Sequence, residues 1–438
     1  MQGGTWTTQN KVRPGVYINF NSAPQPTGTV GERGIVTMPA ELAWGAPHEV
    51  LTIEAGAATL ERLGYALGEP QLLLVREALK RARTLLLYRV NSGTPAAATS
   101  DDLTVTAAYG GSRGNDLAVA VTETEGESGT FTVTTYLSGK EIDTQQAATV
   151  GELTDNGWVA FSGTGALQAI AALPLTGGAN GAATAQDYAD YLSAIELHDF
   201  HAMAVPSTDD TLKQTIADFV RRLREQEGRK VQAVLANYPI ADYEGVISVR
   251  NGVRLADETV LDAAQATAWT AGAAAGAQMN ESLTYAAYDG AIDVEPRLTH
   301  TDTVAALQGG EWVFTHNAGR AIVEQDINSL TSFTPETGKA FAKNRVIRVL
   351  DGINNDFVRI FGANYIGKAP NNEDGRNLLK SECISYLSSL QGIGAIQNFD
   401  AQADIAVLAG ADVDSVVIES YVQPVDSIEK IYIQVEVR

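Results

Sequence analysis

Residues 110–114 have the spacing of a hydrolase nucleophile. They read Gly-Gly-Ser-Arg-Gly and match G-x-S-x-G, in which a serine, here Ser112, sits on a sharp turn between a strand and a helix. The residues that follow, 117–121, alternate in the manner of a strand rather than a helix. Because the motif needs a helix after the serine, the sequence indicates a glycine-rich β turn here.

A second candidate for chemistry is the pair His198 and His201, with Asp199, Asp209 and Asp210 nearby. A zinc site usually needs third and fourth ligands at regular spacing, and the other three histidines are scattered along the chain. The sequence also contains no P-loop and no G-x-G-x-x-G after a strand. We therefore expect no catalytic residues, no cofactor, no metal and no enzymatic activity.

Composition narrows the classes of partner. The chain has 438 residues, of which 45% are hydrophobic and 19% charged, and its formal net charge is −22. A surface this acidic argues against direct binding to nucleic acid or to anionic membranes, whose phosphates require lysine and arginine. Cys383 is the single cysteine, so no internal disulfide is possible. We expect no signal peptide, because residues 1–5 lack an apolar core. We expect no membrane span, because the uncharged stretch 263–280 is rich in Ala, Gly, Thr and Gln and is too polar.

Hydrophobic periodicity indicates an α/β core. Strand and helix patterns alternate over 31–93 and again over 183–330, and the run 84–90 is apolar enough for a strand buried on both faces. This order predicts one split, mostly parallel sheet with helices on both faces. We also predict a strand at 284–288. Between the two regions, 94–182 has short alternating runs separated by turn residues, which predicts an inserted all-β sandwich.

Residues 331–412 are predicted to form a helical α+β C-terminal domain. Thr334 suits an N-cap with Pro335 at the first helical position, and apolar residues at helical spacing continue to Gly362. This predicted helix carries basic residues with few acids among them, which indicates either a solvated face or a docking strip for an acidic partner. The set is Lys339, Lys343, Arg345, Arg348 and Arg359.

Both ends of the chain carry strand patterns. Near the N-terminus, Val16, Ile18 and Phe20 fall on one face, and in residues 430–438 the side chains alternate with a period of two. The apolar set at the C-terminus is Ile431, Ile433, Val435 and Val437. Each end is compatible with an edge strand packed on its own domain. The alternative is that each strand is donated to another copy of the chain by pairing with a sheet edge.

Three features together resemble the contractile tail sheath proteins of bacteriophages and phage-derived particles. The opening 13–18 (Arg-Pro-Gly-Val-Tyr-Ile) is similar to that family's N-terminal strand, and 114–117 (Gly-Asn-Asp-Leu) is similar to a turn in the family's β insertion. The third feature is the domain order. The resemblance implies an N-terminal arm at 1–30, an α/β core at 31–93 plus 183–330, a sandwich at 94–182, a helical domain at 331–412 and a strand arm at 413–438.

The resemblance also implies a function. Sheath subunits stack as hexameric rings around an inner tube, and strands of their arms complete sheets in neighbouring subunits. The stack contracts to drive the tube through a bacterial envelope. The implied partners are further copies of the chain, the inner tube protein, and baseplate and tail terminator proteins. The implied location is the virion or a phage-tail-like particle assembled in the host cytoplasm. From their charge alone, the basic residues of the predicted helix are the candidates for the surface that faces the tube.

Two other functions are compatible with the residues. An α/β sheet of this kind often holds an active site at its strand ends, so a hydrolase-like enzyme that uses Ser112 or His201 is one alternative. A binding module displayed on a surface through the β insertion is the other.

Overall fold

The computed structural model describes residues 3–4, 16–17, 29–125, 127 and 129–437. The chain forms two compact units. The larger comprises 32–355 together with the residues from Pro424 onward. The smaller comprises 356–423 together with the described residues up to Gly31.

A seven-stranded sheet forms the centre of the larger unit. All neighbouring strands are parallel except the last pair, where Val50–Glu54 runs antiparallel to Thr84–Arg89. Strands from both sides of the β insertion therefore share one sheet, as the periodicity predicts. In spatial order, the strands are Glu311–Trp312, Val246–Val249, Gln232–Ala236, Ala202–Ala204, Ile35–Ala40, Thr84–Arg89 and Val50–Glu54.

Helices cover both faces of this sheet. Leu73–Leu79 and Ala263–Gly276 pack on one face, and Ala185–Ile195 and Asp210–Glu225 pack on the other. The alanine-rich helix Ala263–Gly276 is buried on nearly every side, because small side chains allow close approach from all directions. Its Trp269 stacks on Tyr288 with ring centroids 4.4 Å apart, and this pair lies in the apolar core.

The insertion is a sandwich of two antiparallel sheets with its own core. Gly93–Thr94 pairs with Ala179–Asn180 where the insertion joins the larger unit. The first sheet contains Lys140–Ala147, Phe131–Leu137, Leu117–Glu123 and Ile170–Pro174, in that spatial order. The second contains Val159–Gly163, Leu103–Ala107 and Ala97–Ser100.

Shorter elements complete the part of the chain that the structure describes. The remaining helices are Leu60–Leu63, His300–Gln308, Asn344–Asn364 and Glu373–Gly392. The 3-10 turns are Pro70–Leu72, Ser112–Asp116, Val150–Glu152, Pro239–Ala241 and Lys339–Ala342. The remaining strands are Gly3–Gly4, Val16–Tyr17, Gly252–Leu255, Val260–Leu261, Ala291–Glu295, Phe314–Asn317, Arg320–Val323, Ile396–Gln397, Ile405–Ala409, Val416–Ser420 and Gln423–Pro424.

Two predicted elements differ from the structure. The long helix begins at Asn344 rather than at Pro335, because Thr334 closes a local turn in which its hydroxyl accepts from the Thr337 amide at 3.0 Å. The run predicted as a strand at 284–288 is irregular. Tyr285 adopts a left-handed conformation with φ of 65°, which interrupts the extended backbone there.

A buried ion pair fixes the first half of the helix Asn344–Asn364 to the larger unit. Arg224 donates to both oxygens of Asp351 at 2.6 and 2.9 Å, and the two side chains are only 3% and 10% exposed. Burial alone would lower the pKa of Arg224, but the Asp351 charge outweighs it and raises that pKa. The guanidinium therefore stays charged and depends on its partner.

We expect Asp351→Ala to lower the free energy of unfolding by about 3 kcal/mol, because it removes the bidentate partner of the buried Arg224 charge and leaves only Glu244, 3.5 Å away. Urea unfolding followed by circular dichroism measures this. The matched control is Glu258→Ala, which breaks an exposed pair with Arg254 at 3.6 Å and should cost about 0–1 kcal/mol. Equal costs for the two variants would contradict a structural role for the buried pair.

His201 makes stability depend on pH. Burial and the nearby Arg33 charge lower the pKa of His201 from 6.5 to about 3 in the folded chain. The neutral ring accepts a hydrogen bond from the Ile35 amide at 3.3 Å. The stability linked to this group is therefore fully present above pH 6.5 and is lost as the pH falls toward 3.

We expect the parent protein to lose roughly 2 kcal/mol more unfolding free energy than His201→Gln between pH 6.5 and 4.5. Glutamine can still accept from Ile35 but does not titrate. Urea unfolding at several pH values measures the difference. Parallel stability curves for the two proteins would show that His201 does not contribute.

Candidate assembly interfaces

The serine motif forms a turn. Ser112 begins a 3-10 turn that leads directly into the strand Leu117–Glu123, and its amide donates to Asn180 Oδ1 at 2.8 Å. Gly111 has φ of 141°, and a Cβ there would lie 2.0 Å from the Ala43 carbonyl oxygen. The glycines of the motif thus serve close packing of the turn, and the strand–turn–helix geometry of a nucleophile is not formed.

The histidines do not form a metal centre with the neighbours that the sequence suggested. His201 is engaged with the Ile35 amide, and His198 is exposed. Within the described ranges, the only group of three metal-type ligands is His48, Asp187 and Asp190, whose atoms lie within 4.8 Å of one another. The carboxylate of Asp187 caps a helix by accepting from the Thr184 amide and hydroxyl at 2.7 Å, and a helix N-terminus disfavours a cation.

The C-terminal tail, which we define as residues 425–437, exposes its apolar face. Its four apolar side chains at alternating positions are between 76% and 94% exposed. They are Ile431, Ile433, Val435 and Val437. No residue of 428–437 pairs in a strand with another described residue. The strand predicted at 430–438 is therefore not formed within one chain, although its side-chain pattern is that of a strand.

The first part of this tail is held by polar contacts. Glu429 accepts from the Thr284 hydroxyl at 2.9 Å and from the Gln325 amide at 2.6 Å. Its carboxylate also pairs with Lys343, whose ammonium lies 3.9 Å from Asp426. Glu429 is thus tied to three segments that are distant from it in sequence.

A similar arrangement holds the N-terminal segment within the smaller unit. The Gly31 amide donates to both oxygens of Asp356 at 3.0 Å, and a Cβ on Gly31 would lie 2.3 Å from one of them. Arg359 bonds to the Thr29 carbonyl at 2.6 Å and to Asp356 at 3.0 Å. Tyr386 donates to the same carboxylate at 2.8 Å. Thr29 and Gly31 are therefore held at Asp356 and Arg359.

The N-terminal strand is partly described. Val16–Tyr17 pairs in parallel with Gly3–Gly4. Ile18 and Phe20, which were predicted to share a face with Val16, lie outside the described residues. Their role stays a prediction.

A two-stranded hairpin in the smaller unit has two open edges. Ile405–Ala409 pairs with Val416–Ser420, and neither strand has a second strand neighbour among the residues described. Leu408 and Val417 face each other across the pair and are 49% and 47% exposed. Two-stranded sheets of this kind are marginal alone and gain stability from added strands.

The hairpin also borders a cavity of about 490 Å³ within the smaller unit. Its lining is largely apolar and includes Phe361, Ile366, Leu379, Val416 and Ile418. The strand Val416–Ser420 thus presents an open backbone edge next to unfilled apolar space.

Arg348 contradicts the prediction of one exposed basic helix face. Its side chain is 2% exposed, and its guanidinium donates to the Glu281 carbonyl at 2.7 Å and pairs with Asp326 at 3.4 Å. It cannot dock an external partner. The sequence gives no local signal for this pairing, because Asp326 lies outside the helix and far from Arg348 along the chain.

The other predicted basic residues have different surroundings. Lys343 and Arg359 are engaged at the two points where the terminal segments leave their units, as described above. Arg345 is half-buried. Lys339 is exposed and makes no ion pair within the described part of the chain, so it alone keeps the character that the sequence predicted for the set.

None of the helices in the ranges covered by the structure combines the length and the apolar character needed to cross a bilayer.

Four family models match consecutive parts of the chain. The Gp18 domain III N-terminal region of tail sheath protein matches 33–90, and the phage tail sheath protein beta-sandwich domain matches 91–180. The phage tail sheath protein central domain matches 181–329, and the phage tail sheath C-terminal domain matches 336–438. The order of these domains is the order that the resemblance implied.

Whole proteins match as well. The chain is 41% identical to the phage-like element PBSX protein XkdK of Bacillus subtilis, with both chains fully covered. It is 58% identical to a sheath tail protein of Desulfitobacterium hafniense of known structure, with TM-score 0.89 and coverage of 97% of this chain and 100% of that one. A sheath tail protein of Listeria innocua is 41% identical, with TM-score 0.80 and coverage of 92% and 95%. The chain therefore belongs to the phage tail sheath protein family, and it is a structural subunit of a phage or phage-like tail rather than an enzyme.

Proposed function

We propose that this chain polymerises as stacked hexameric rings around an inner tube, that its terminal strands join neighbouring subunits, and that the stack contracts to drive the tube through a bacterial envelope. The observation that carries the proposal is the C-terminal tail, a strand-patterned segment with an exposed apolar face. Family membership supports the sheath context. We likewise propose that the domain limits are 1–30, 31–93 plus 183–330, 94–182, 331–412 and 413–438.

The tail is suited to donation. Burying an isoleucine or valine side chain completely is worth about 1.5–3 kcal/mol, and each added backbone hydrogen bond contributes about 0.5–1.5 kcal/mol net. Ile431, Ile433, Val435 and Val437 gain neither term in a single subunit because they remain in water. Pairing with a sheet of another copy would supply both terms at every junction of the lattice.

The hairpin of the smaller unit is the receiving sheet in this proposal. An extended segment can hydrogen-bond to the open edge of Val416–Ser420 or of Ile405–Ala409 in the edge-pairing mode of recognition. Apolar side chains of the donated strand would then cover Leu408 and Val417 or enter the adjacent cavity. The N-terminal strand around Val16 would join the same kind of sheet.

Donated strands explain how subunits of a sheath can change their packing without dissociating. Each tail leaves its unit at a fixed point and is bonded elsewhere, so the compact units can change their packing while the strands stay paired. Contraction is then a shift between two packings of one sequence, with the second lower in free energy. Baseplate and tail terminator proteins would cap the stack, which assembles in the host cytoplasm.

We assign the contact with the tube to Lys339, the exposed member of the predicted basic set that makes no ion pair among the described residues. Lys339 has no competing carboxylate among the described residues and can pair with an acidic tube surface. Arg345 is a weaker candidate because it is half-buried.

The tail assignment is tested by changing one face of the strand. We expect a variant with Ile431→Thr, Ile433→Thr, Val435→Thr and Val437→Thr to stay folded and fail to form tubes in electron micrographs, because threonine keeps strand propensity but loses apolar burial. The matched control changes the other face, with Tyr432→Thr and Gln434→Thr. Truncation after Glu429 should match the four-residue variant. Normal tubes from the truncated chain would refute strand donation.

The tube contact is tested by reversing one charge. We expect Lys339→Glu to slow sheath growth on purified tubes several-fold at low salt, with the defect shrinking at high salt because ions screen exposed charges. Lys140→Glu, on an exposed position of the β sandwich, is the matched control. Light scattering measures the growth rate. Equal growth of the two variants would exclude Lys339 from the tube surface.

A further inference from the structure

The C-terminal tail changes from partly buried to exposed at a single residue. Val425, Ser427 and Glu429 are half-buried, whereas every described residue from Lys430 onward is exposed. Glu429 is thus the last described residue of the tail that is not exposed. The geometry of the tail depends on what holds that residue.

Glu429 is held by donors that are themselves positioned. The Thr284 hydroxyl accepts from the Asp326 amide at 2.9 Å, so its hydrogen is free to point at Glu429 Oε1, 2.9 Å away. Gln325 and Lys343 both donate to the other oxygen, Oε2. Both carboxylate oxygens are therefore satisfied, and one of the three donors carries a full charge.

The contacts favour an ionised side chain at this position. Burial by itself would raise the pKa of Glu429, but hydrogen bonds from Lys343, Gln325 and Thr284 outweigh burial and lower that pKa below its usual value. The Glu429 side chain is 11% exposed. Moving its carboxylate into water would break these hydrogen bonds, and hydrogen bonds to charged groups are stronger than those between neutral groups.

We propose that Glu429, clamped by Lys343, Gln325 and Thr284, is the positioning residue that fixes where the C-terminal strand leaves its subunit, so that only 430–438 is available for donation. The inference rests on the proposed donation of that strand. It assigns Lys343 a role inside its own subunit instead of the tube-facing role that its charge suggested. The clamp sets the reach of the donated strand and holds the tail when neighbouring subunits move.

The test is tryptic cleavage after Lys430 in the full-length subunit, kept unassembled at low concentration. Lys343→Met removes the ammonium and leaves the sequence around the cleaved bond unchanged. We expect release of the peptide 431–438, measured by mass spectrometry, to be about ten- to a hundredfold faster than in the parent protein. The rate of cleavage at this bond is proportional to the fraction of molecules in which the contacts of Glu429 with Lys343, Gln325 and Thr284 are broken.

The matched control is Lys339→Met, which makes the same chemical change four residues earlier at an exposed lysine. It should release the peptide at the parental rate. Glu429→Gln removes the negative charge of the Lys343–Glu429 pair. The double variant Lys343→Met with Glu429→Gln should release the peptide no faster than the faster of the two single variants, because both changes remove the same interaction. Circular dichroism verifies that each variant is folded.

The clamp and strand donation can fail separately. If Lys343→Met and Glu429→Gln release the peptide at the rate of the Lys339→Met control, the clamp is refuted, even where truncation after Glu429 abolishes tubes. If both variants accelerate release but the truncated chain still forms normal tubes, the clamp stands as a contact of the subunit and the donation proposal fails.

Assembly provides a second readout. Sheaths of Lys343→Met subunits should dissociate at a lower urea concentration than sheaths of Lys140→Met subunits, because loss of the Glu429 contacts lets the donated strand detach more easily. Lys140 is an exposed lysine of the β sandwich, outside the proposed tube contact. Identical dissociation midpoints for the two would overturn the proposed holding role.

Discussion

The structure depends on one constraint, which is that a strand with an apolar face and an open edge is incomplete in water. Within a single chain, the C-terminal tail has the side-chain alternation of a strand and no backbone partner among the described residues. The hairpin Ile405–Ala409 with Val416–Ser420 has two open edges, because neither strand has a second neighbouring strand among the described residues. The proposed strand donation would satisfy both, because the tail of one copy would pair with the hairpin of another.

Most basic residues at and near the helix Asn344–Asn364 form ion pairs within their own chain. The chain carries a large excess of acids, yet the basic residues at and near the helix Asn344–Asn364 are mostly committed to internal carboxylates. Arg224 with Asp351, and Arg348 with Asp326, are buried in the larger unit. Such pairs add little net stability relative to apolar contacts, but breaking one is costly, so they specify a unique arrangement.

The β sandwich is organised differently. A neck of two short paired strands, Gly93–Thr94 and Ala179–Asn180, connects it to the α/β part of the chain. Its core is distinct from those of the seven-stranded sheet, and Trp44 of the α/β part packs into it. A domain with its own core can vary in its surface without disturbing the seven-stranded sheet. The serine motif near this neck is explained by close packing of glycine backbone, which removes the one local pattern that suggested catalysis.

The sequence by itself determined the α/β class, the mostly parallel sheet and the inserted sandwich, because periodicity and turn residues are local properties. The strand pattern at the two ends of the chain stays a prediction. It also indicated the sheath family through the order of its motifs. Only the tertiary structure decided which of the basic residues are paired with carboxylates and which are exposed. Lys343 and Arg348 are paired with Glu429 and Asp326, acids that are distant along the chain, and no local pattern reports such partners. The start of the long helix was likewise decided by a turn at Thr334, whose side chain competes with the helix for backbone donors.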